Sequence, residues 1–169
     1  MRVMSFEEVT VPSKDRKKFS SCRQKEKLEK EMEKKEGVRK LKSGMLVEFL
    51  VQADNPEARS PSKFDTCEVT YKGTLKDGTQ FDAGTTSFSP NQVIKGWTEA
   101  MQLMVEGDKW KLYIPYDLAY GESGSPPKIP GYSPLVFEIE IHKVKSSGGK
   151  PFAEARRLFV ESLAAKDEL

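Results

Sequence analysis

Histidine occurs once and cysteine twice in the 169 residues, and no apolar run approaches the length of a membrane-spanning helix. Each scarcity removes a class of function. A zinc site needs three or four ligands, mostly Cys and His at close spacing, whereas Cys22, Cys67 and His142 lie far apart in the chain. Neither a metal nor a cofactor is expected. A helix that crosses a bilayer takes about 20 consecutive apolar residues, so no membrane span is expected. The N-terminus lacks the apolar stretch of a signal peptide, which predicts that any leader has already been removed. A Cys22–Cys67 disulfide would tie a charged arm to the rest of the chain. The residues favour the other arrangement, with Cys67 a small buried hydrophobe and Cys22 a free thiol.

Charge of one sign is also missing. The formal net charge is +2, but residues 1–45 carry 14 Lys and Arg against 8 Asp and Glu, and residues 46–169 carry 14 against 18. The basic excess therefore belongs to a segment and not to one face of a domain, and no nucleic-acid partner is expected. Residues 13–42 contain no proline, one glycine (Gly37) and a dense mixture of Glu and Lys. Glu26 and Lys30, Glu31 and Lys35, and Glu36 and Lys40 stand at i,i+4 in the favourable order, which predicts a long helix interrupted or ended near Gly37. Only Leu28 and Met32 make a consecutive pair of the coiled-coil kind. A solvated helix, and with it a monomer, is favoured over a dimerising stalk.

Residues 46–145 read differently. Short β-favouring runs at 46–51, 66–75, 79–82, 109–114 and 135–144 alternate with turn signals, and Asp77-Gly78 marks a tight hairpin. Ser89-Pro90-Asn91 opens a short helix with Val93, Ile94, Trp97 and Met101 on one face. The expected fold is α+β, an antiparallel sheet wrapped over a short helix, flanked by a helix on each side. The two-residue period of a strand sets Phe137, Ile139 and Ile141 inward and His142 outward, and sets Cys67, Val69 and Tyr71 on one side. Beyond residue 145, Lys145-Ser-Ser-Gly-Gly-Lys150 reads as a linker. Phe152, Ala155, Leu158, Phe159 and Leu163 then recur at helical spacing, which predicts a second amphipathic helix that docks. The chain divides into an extension (1–45), a domain (46–145) and a linker with a C-terminal helix (146–169). It closes on Lys166-Asp167-Glu168-Leu169, which reads either as a retrieval signal of the endoplasmic reticulum or as the charged end of that helix. The expected location is the secretory pathway: secreted, or in the lumen of that organelle if the signal is read.

Proton-transfer chemistry finds little support. His142 has no serine or cysteine partner, Gly121-Glu-Ser-Gly124 is no phosphate cradle, and Asp82 is the one acidic residue that the sequence embeds among apolar ones. What remains is binding, or catalysis without proton transfer. An aromatic and aliphatic set gathers at element ends: Tyr71, Phe81, Phe88, Val93, Ile94, Trp97, Tyr120, Ile129 and Phe137, with Asp82 among them. The blocks Val69-Thr-Tyr71-Lys-Gly-Thr-Leu-Lys-Asp-Gly-Thr-Gln-Phe81-Asp82, Gln92-Val93-Ile94-Lys-Gly-Trp97, Leu118-Ala-Tyr120-Gly121 and Ile129-Pro130, closed by Leu135-Val-Phe137-Glu, resemble the FKBP family of peptidyl-prolyl isomerases, in particular its macrophage infectivity potentiator type.

That resemblance implies an apolar pocket lined by Tyr71, Phe81, Val93, Phe137 and Ile129, with the Trp97 indole as floor. Asp82, the Ile94 N–H and the Tyr120 hydroxyl become its polar, catalytic contacts. It implies isomerisation of X-Pro bonds in peptides and proteins, protein-folding work, inhibition by the macrolides tacrolimus and rapamycin, and a secreted virulence role. The alternative is a non-catalytic module that captures a proline-bearing segment or partner. Two departures stand out. Thr or Ser occupies the place where many members carry an aromatic ahead of Phe88, which leaves the pocket open there with Phe88 as a partial substitute. Lys128 stands beside Ile129.

Overall fold

The computed structural model describes residues 23, 27, 30, 31, 34, 35, 37–145 and 149–164. The expectations for Cys22, Leu28, Met32 and residues 166–169 lie outside the described residues. Arg23, Lys27, Lys30 and Glu31 are helical. The expected Glu31–Lys35 pair is not the one formed. Lys27 faces Glu31 at 4.0 Å, and Lys35 reaches across to Glu48 at 2.8 Å. Gly37 turns the chain with φ +87°, a region that favours glycine, and Lys40 lies in a strand instead of continuing the helix.

The strands are β1 (Val38–Lys40), β2 (Leu46–Val51), β3 (Arg59–Ser60), β4 (Cys67–Leu75), β5 (Gln80–Phe88), β6 (Lys109–Ile114), β7 (Leu135–Val144) and β8 (Lys150–Pro151). Six of them form one antiparallel sheet in the order β1-β2-β6-β7-β4-β5, and β3 pairs with β8. The Asp77-Gly78 hairpin joins β4 to β5 as expected, with Gly78 at φ +92° and the Leu75 N–H donating to the Thr79 carbonyl. β5 runs six residues past the expected end at 82, because its ladder to β4 continues unbroken from Asp82 to Phe88. β1, β3 and β8 were not legible; they carry two or three residues each and exist by pairing with distant segments.

The register sets Val69 opposite Ile141, Tyr71 opposite Ile139 and Gly73 opposite Phe137. Leu112, Ile114, Phe137, Ile139 and Ile141 therefore share one face, and it closes on helix α1 (Lys95–Met101) through Trp97, Ala100 and Met101. Gly96 lets the helix come close, since a Cβ there would lie 2.7 Å from Ile114 Cγ2. His142 is exposed, as its place in the alternation predicts, with Nε2 2.6 Å from Thr70 Oγ1. Cys67 is a buried free thiol whose ionisation is pushed up to about 12, chiefly by burial. The expected helix from Ser89 is broken. Pro90–Gln92 forms a 3-10 turn, Val93 and Ile94 are extended, and α1 starts at Lys95. The Thr98 hydroxyl fixes the break by donating to the Pro90 carbonyl, with the Val93 and Ile94 carbonyls also within reach.

Helix α2 (Phe152–Ser162) docks on the same core: the Phe159 ring lies 5.1 Å from Phe49 and 5.3 Å from Trp110, centre to centre. Its apolar stripe is assisted by a charge. Asp108, fully buried, accepts the Ala53 and Val105 N–H groups and both terminal nitrogens of Arg156 at 2.9 Å. Two helical turns of apolar contact are thereby locked to one turn of the sheet. Removing one partner of a buried pair costs about 3–5 kcal/mol, because it leaves a desolvated charge. Arg156→Ala and Asp108→Ala should each lower the unfolding free energy by roughly that amount, and the double variant should lose far less than their sum. A urea-melt double-mutant cycle checks this; additive losses would mean that the two side chains act separately.

Candidate active site

β4, β5, β7, α1 and the loop after β6 converge on one cavity of about 480 Å³, lined by Tyr71, Phe81, Asp82, Phe88, Gln92, Val93, Ile94, Trp97, Tyr120 and Phe137. Each side chain arrives for a local reason. Tyr71 and Phe137 follow from the strand period, on the inward face of β4 and β7. Phe81 and Asp82 open β5 directly after the hairpin, and Phe88 closes it. Val93 and Ile94, extended ahead of α1, line the cavity, and the break leaves the Ile94 N–H outside the helical ladder. Ile94 is the N-cap residue, at the end of a helix where N–H groups have no intrahelical partner.

Trp97 is 4% exposed and meets three rings edge to face: Phe137 at 5.0 Å, Tyr71 at 5.3 Å and Phe88 at 5.6 Å. Phe81 adds a fourth ring against Phe137 at 5.4 Å. The Trp97 N–H finds no acceptor among the described residues. The ring is held by its faces and edges, not by its polar atom. Such pairs contribute about 0.5–1.5 kcal/mol each beyond area burial. They also fix the ring planes, so the floor is present before anything binds.

The polar groups are few. The Tyr71 hydroxyl donates to Asp82 Oδ2 at 3.0 Å. Burial, followed by that hydrogen bond and the Asp82 charge, raises the Tyr71 ionisation above its ordinary value, so the phenol stays protonated. Asp82 itself is exposed, which corrects its placement among apolar residues. Among the described residues the buried carboxylates are Asp108 and Asp65, in turns where backbone N–H groups donate to them. Tyr120, 41% exposed, lines the cavity. Ile129 does not line the cavity. It is buried in the core cluster, where Ser125 and Ile129 bridge across the loop. Phe88 does line it, through its contacts with both Tyr71 and Trp97. Gln92 lines it as well and was missed, because an exposed glutamine inside a short turn carries no chemical signal. Lys128 donates to the Phe81 carbonyl at 3.4 Å and so ties the loop to the start of β5.

The family pattern of the FKBP-type peptidyl-prolyl cis-trans isomerases matches residues 57–142, which contain all ten of these lining positions. The chain belongs to the FKBP-type peptidyl-prolyl cis-trans isomerase family. It is 49% identical over 120 residues to the macrophage infectivity potentiator of Trypanosoma cruzi, covering 68% of this chain and 60% of that protein. It is 43% identical over 116 residues to the FKBP-type 22 kDa peptidyl-prolyl cis-trans isomerase of Escherichia coli, covering 66% and 55%. The chain thus spans a little over half the length of these two relatives. A crystal structure of a peptidyl-prolyl cis-trans isomerase from Pseudomonas syringae superposes with a TM-score of 0.70 at 34% identity, covering 82% of this chain and 99% of that one. The α+β expectation and the likeness to the infectivity potentiator type both hold.

Gly73 decides how tightly this FKBP pocket closes. A Cβ at that position would lie 2.6 Å from both Phe137 Cε1 and Phe81 Cζ. One at Gly84, exposed on the adjoining strand opposite Tyr71, would meet only the Tyr71 ring and hydroxyl, at 3.7 Å or more. Overpacking of this kind costs about 1–3 kcal/mol. Gly73→Ala should therefore lose about that much stability and displace both rings, whereas Gly84→Ala should be close to neutral. Urea melts with near-ultraviolet circular dichroism distinguish the two; equal behaviour would mean that the rings yield freely.

Proposed function

We propose that the protein catalyses cis-trans isomerisation of X-Pro peptide bonds in peptides and proteins, with the ring-lined cavity as its active site. The supporting observation is the preformed aromatic floor of Trp97, walled by Tyr71, Phe81, Phe88 and Phe137, beside a sparse set of polar points: Asp82, the Ile94 N–H and the Tyr120 hydroxyl. Rotation about a peptide bond faces a barrier of about 18–20 kcal/mol, because the C–N bond must lose its partial double-bond character. X-Pro bonds have nearly balanced cis and trans forms, so only the barrier needs attention. The twisted amide has lost the charge separation of the planar one. An aromatic-lined cavity therefore favours the twisted form, and hydrogen bonds from Ile94 and Tyr120 hold the neighbouring carbonyls while the bond turns. Asp82, fixed by Tyr71, sets a charge beside the rotating carbonyl. No group has to gain or lose a proton.

The same cavity is proposed to accept macrolides of the tacrolimus and rapamycin type, in competition with peptide. An isomerisation assay on a short X-Pro peptide, with and without rapamycin, tests both statements; a chain without turnover but with peptide affinity would be a binding module. Tyr120→Phe removes one neutral hydrogen bond, about 0.5–1.5 kcal/mol, and should lower kcat/KM roughly threefold to tenfold while leaving the fold intact. Asp82→Val should lower kcat/KM further than Tyr120→Phe. On an uncharged peptide kcat/KM should be flat between pH 6 and 8; a steep slope there would implicate an acid or base and contradict the mechanism.

A secretory location is part of the proposal, resting on Lys166-Asp167-Glu168-Leu169, which is a retrieval address wherever Leu169 is the terminal residue. Deleting residues 166–169 should then raise the secreted fraction relative to the retained one. An unchanged ratio would make the four residues only the charged end of the chain.

A further inference from the structure

The two edges of the sheet are treated differently. At one edge β1 is three residues long and carries Arg39 and Lys40, and its continuation is covered: Leu41 bridges to Leu163 and the Ala164 N–H donates to the Lys40 carbonyl. Short length, basic side chains and a covering segment are the usual means by which an edge is kept from pairing with another chain. At the other edge β5 is nine residues long, and among the described residues no strand pairs with its outer side. Residues 82–88 are in regular register with β4; the one irregularity of that ladder falls at Gly73/Thr74, near the hairpin. No proline and no charged side chain occurs from 83 to 87, and these residues are exposed. An antiparallel edge strand leaves the N–H and C=O of every second residue without a ladder partner; among the described residues no further strand covers them, and Lys145 reaches only the Ser87 side chain, at 2.9 Å, at the far end of the stretch.

This bare stretch is continuous with the active site. Asp82 at its start and Phe88 at its end both line the cavity, and Gly84 between them leaves room above the Tyr71 hydroxyl. The residue before a proline is held away from the helical region and in the extended one, so a chain that delivers its X-Pro bond to the cavity arrives in strand conformation. Seven residues at about 3.3 Å each give a ledge of roughly 23 Å. Resting on the isomerase function proposed above, we propose that β5 is a docking edge for the substrate: the extended segment next to the prolyl bond adds to the sheet as a further strand, through main-chain hydrogen bonds to residues 83–87. The protein would then hold a client by its backbone, indifferent to side chains, and would prefer extended, unfolded segments to short peptides or folded turns.

The full chain tests this with a four-residue X-Pro peptide and the same peptide lengthened by Thr-Val-Thr-Val on its N-terminal or its C-terminal side. One of the two extensions should lower KM about tenfold with kcat unchanged. N-methylation of alternate residues in that extension, in one of the two phases, should abolish the gain. Hydrogen exchange on adding the extended peptide should slow alternate amides within 83–87 and leave 38–40 unaffected. Equal KM for the short and extended peptides, a gain that survives N-methylation in both phases, or unprotected β5 amides would overturn the proposal. Sedimentation showing a dimer whose formation protects the same amides would also overturn it, by giving the edge to a second copy of the chain. If the short peptide is not turned over at all, the isomerase function fails by itself, and the exchange experiment still decides whether the edge binds an extended segment.

Discussion

The edge-to-face packing of Trp97 against Tyr71, Phe88 and Phe137 is the interaction on which the rest of the site depends. It joins α1 to β4, β5 and β7 at one point. The indole sits in the first turn of that helix, whose start is set by the Thr98 hydroxyl contacts across the Pro90, Val93 and Ile94 carbonyls. A helix begun at Pro90 would have tied the Ile94 N–H to the Pro90 carbonyl four residues back. The same break leaves the Ile94 backbone extended at the cavity wall. Apolar floor and polar contact thus come from one local decision in the chain.

Glycine governs the spacing around that point. Gly96 lets α1 approach Ile114, and Gly73 lets the Phe81 and Phe137 rings meet over β4. Away from the cavity, the Asp108–Arg156 pair and the Phe159 ring fasten α2 to the far side of the core. The sheet is consequently fixed at the β1–β2 side by added segments and left open at the β5 side, where the cavity lies. The asymmetry suits a protein that must keep a rigid floor and still admit a long chain.

Much of this was written in local patterns. The period of Phe137, Ile139 and Ile141 and the Asp77-Gly78 turn placed the central strands and the hairpin, and nine of the ten residues that line the cavity stand in the aromatic and aliphatic set with Asp82. The rest was set by distant partners that leave no local trace. Residues 83–88 show no hydrophobic alternation because they form an exposed edge, so the local pattern ends the strand at 82. The acid with an apolar neighbourhood in sequence, Asp82, proved exposed, while Asp108, in an unremarkable Gly107-Asp108 turn, is buried because Arg156 comes back to it from 48 residues away. Ile129 carries the family pattern yet packs into the core, because its loop folds back on Ser125.

The cavity is proposed to lower the barrier by holding its aromatic rings fixed around an apolar floor, with no proton in flight. The most direct measurement is kcat/KM for a short uncharged X-Pro peptide in water and in heavy water. The account predicts clear acceleration over the spontaneous rate and a solvent isotope effect close to unity. Acceleration with an isotope effect of about two or more would place a proton transfer in the rate-limiting step and contradict it, and the absence of acceleration would remove the catalytic claim altogether.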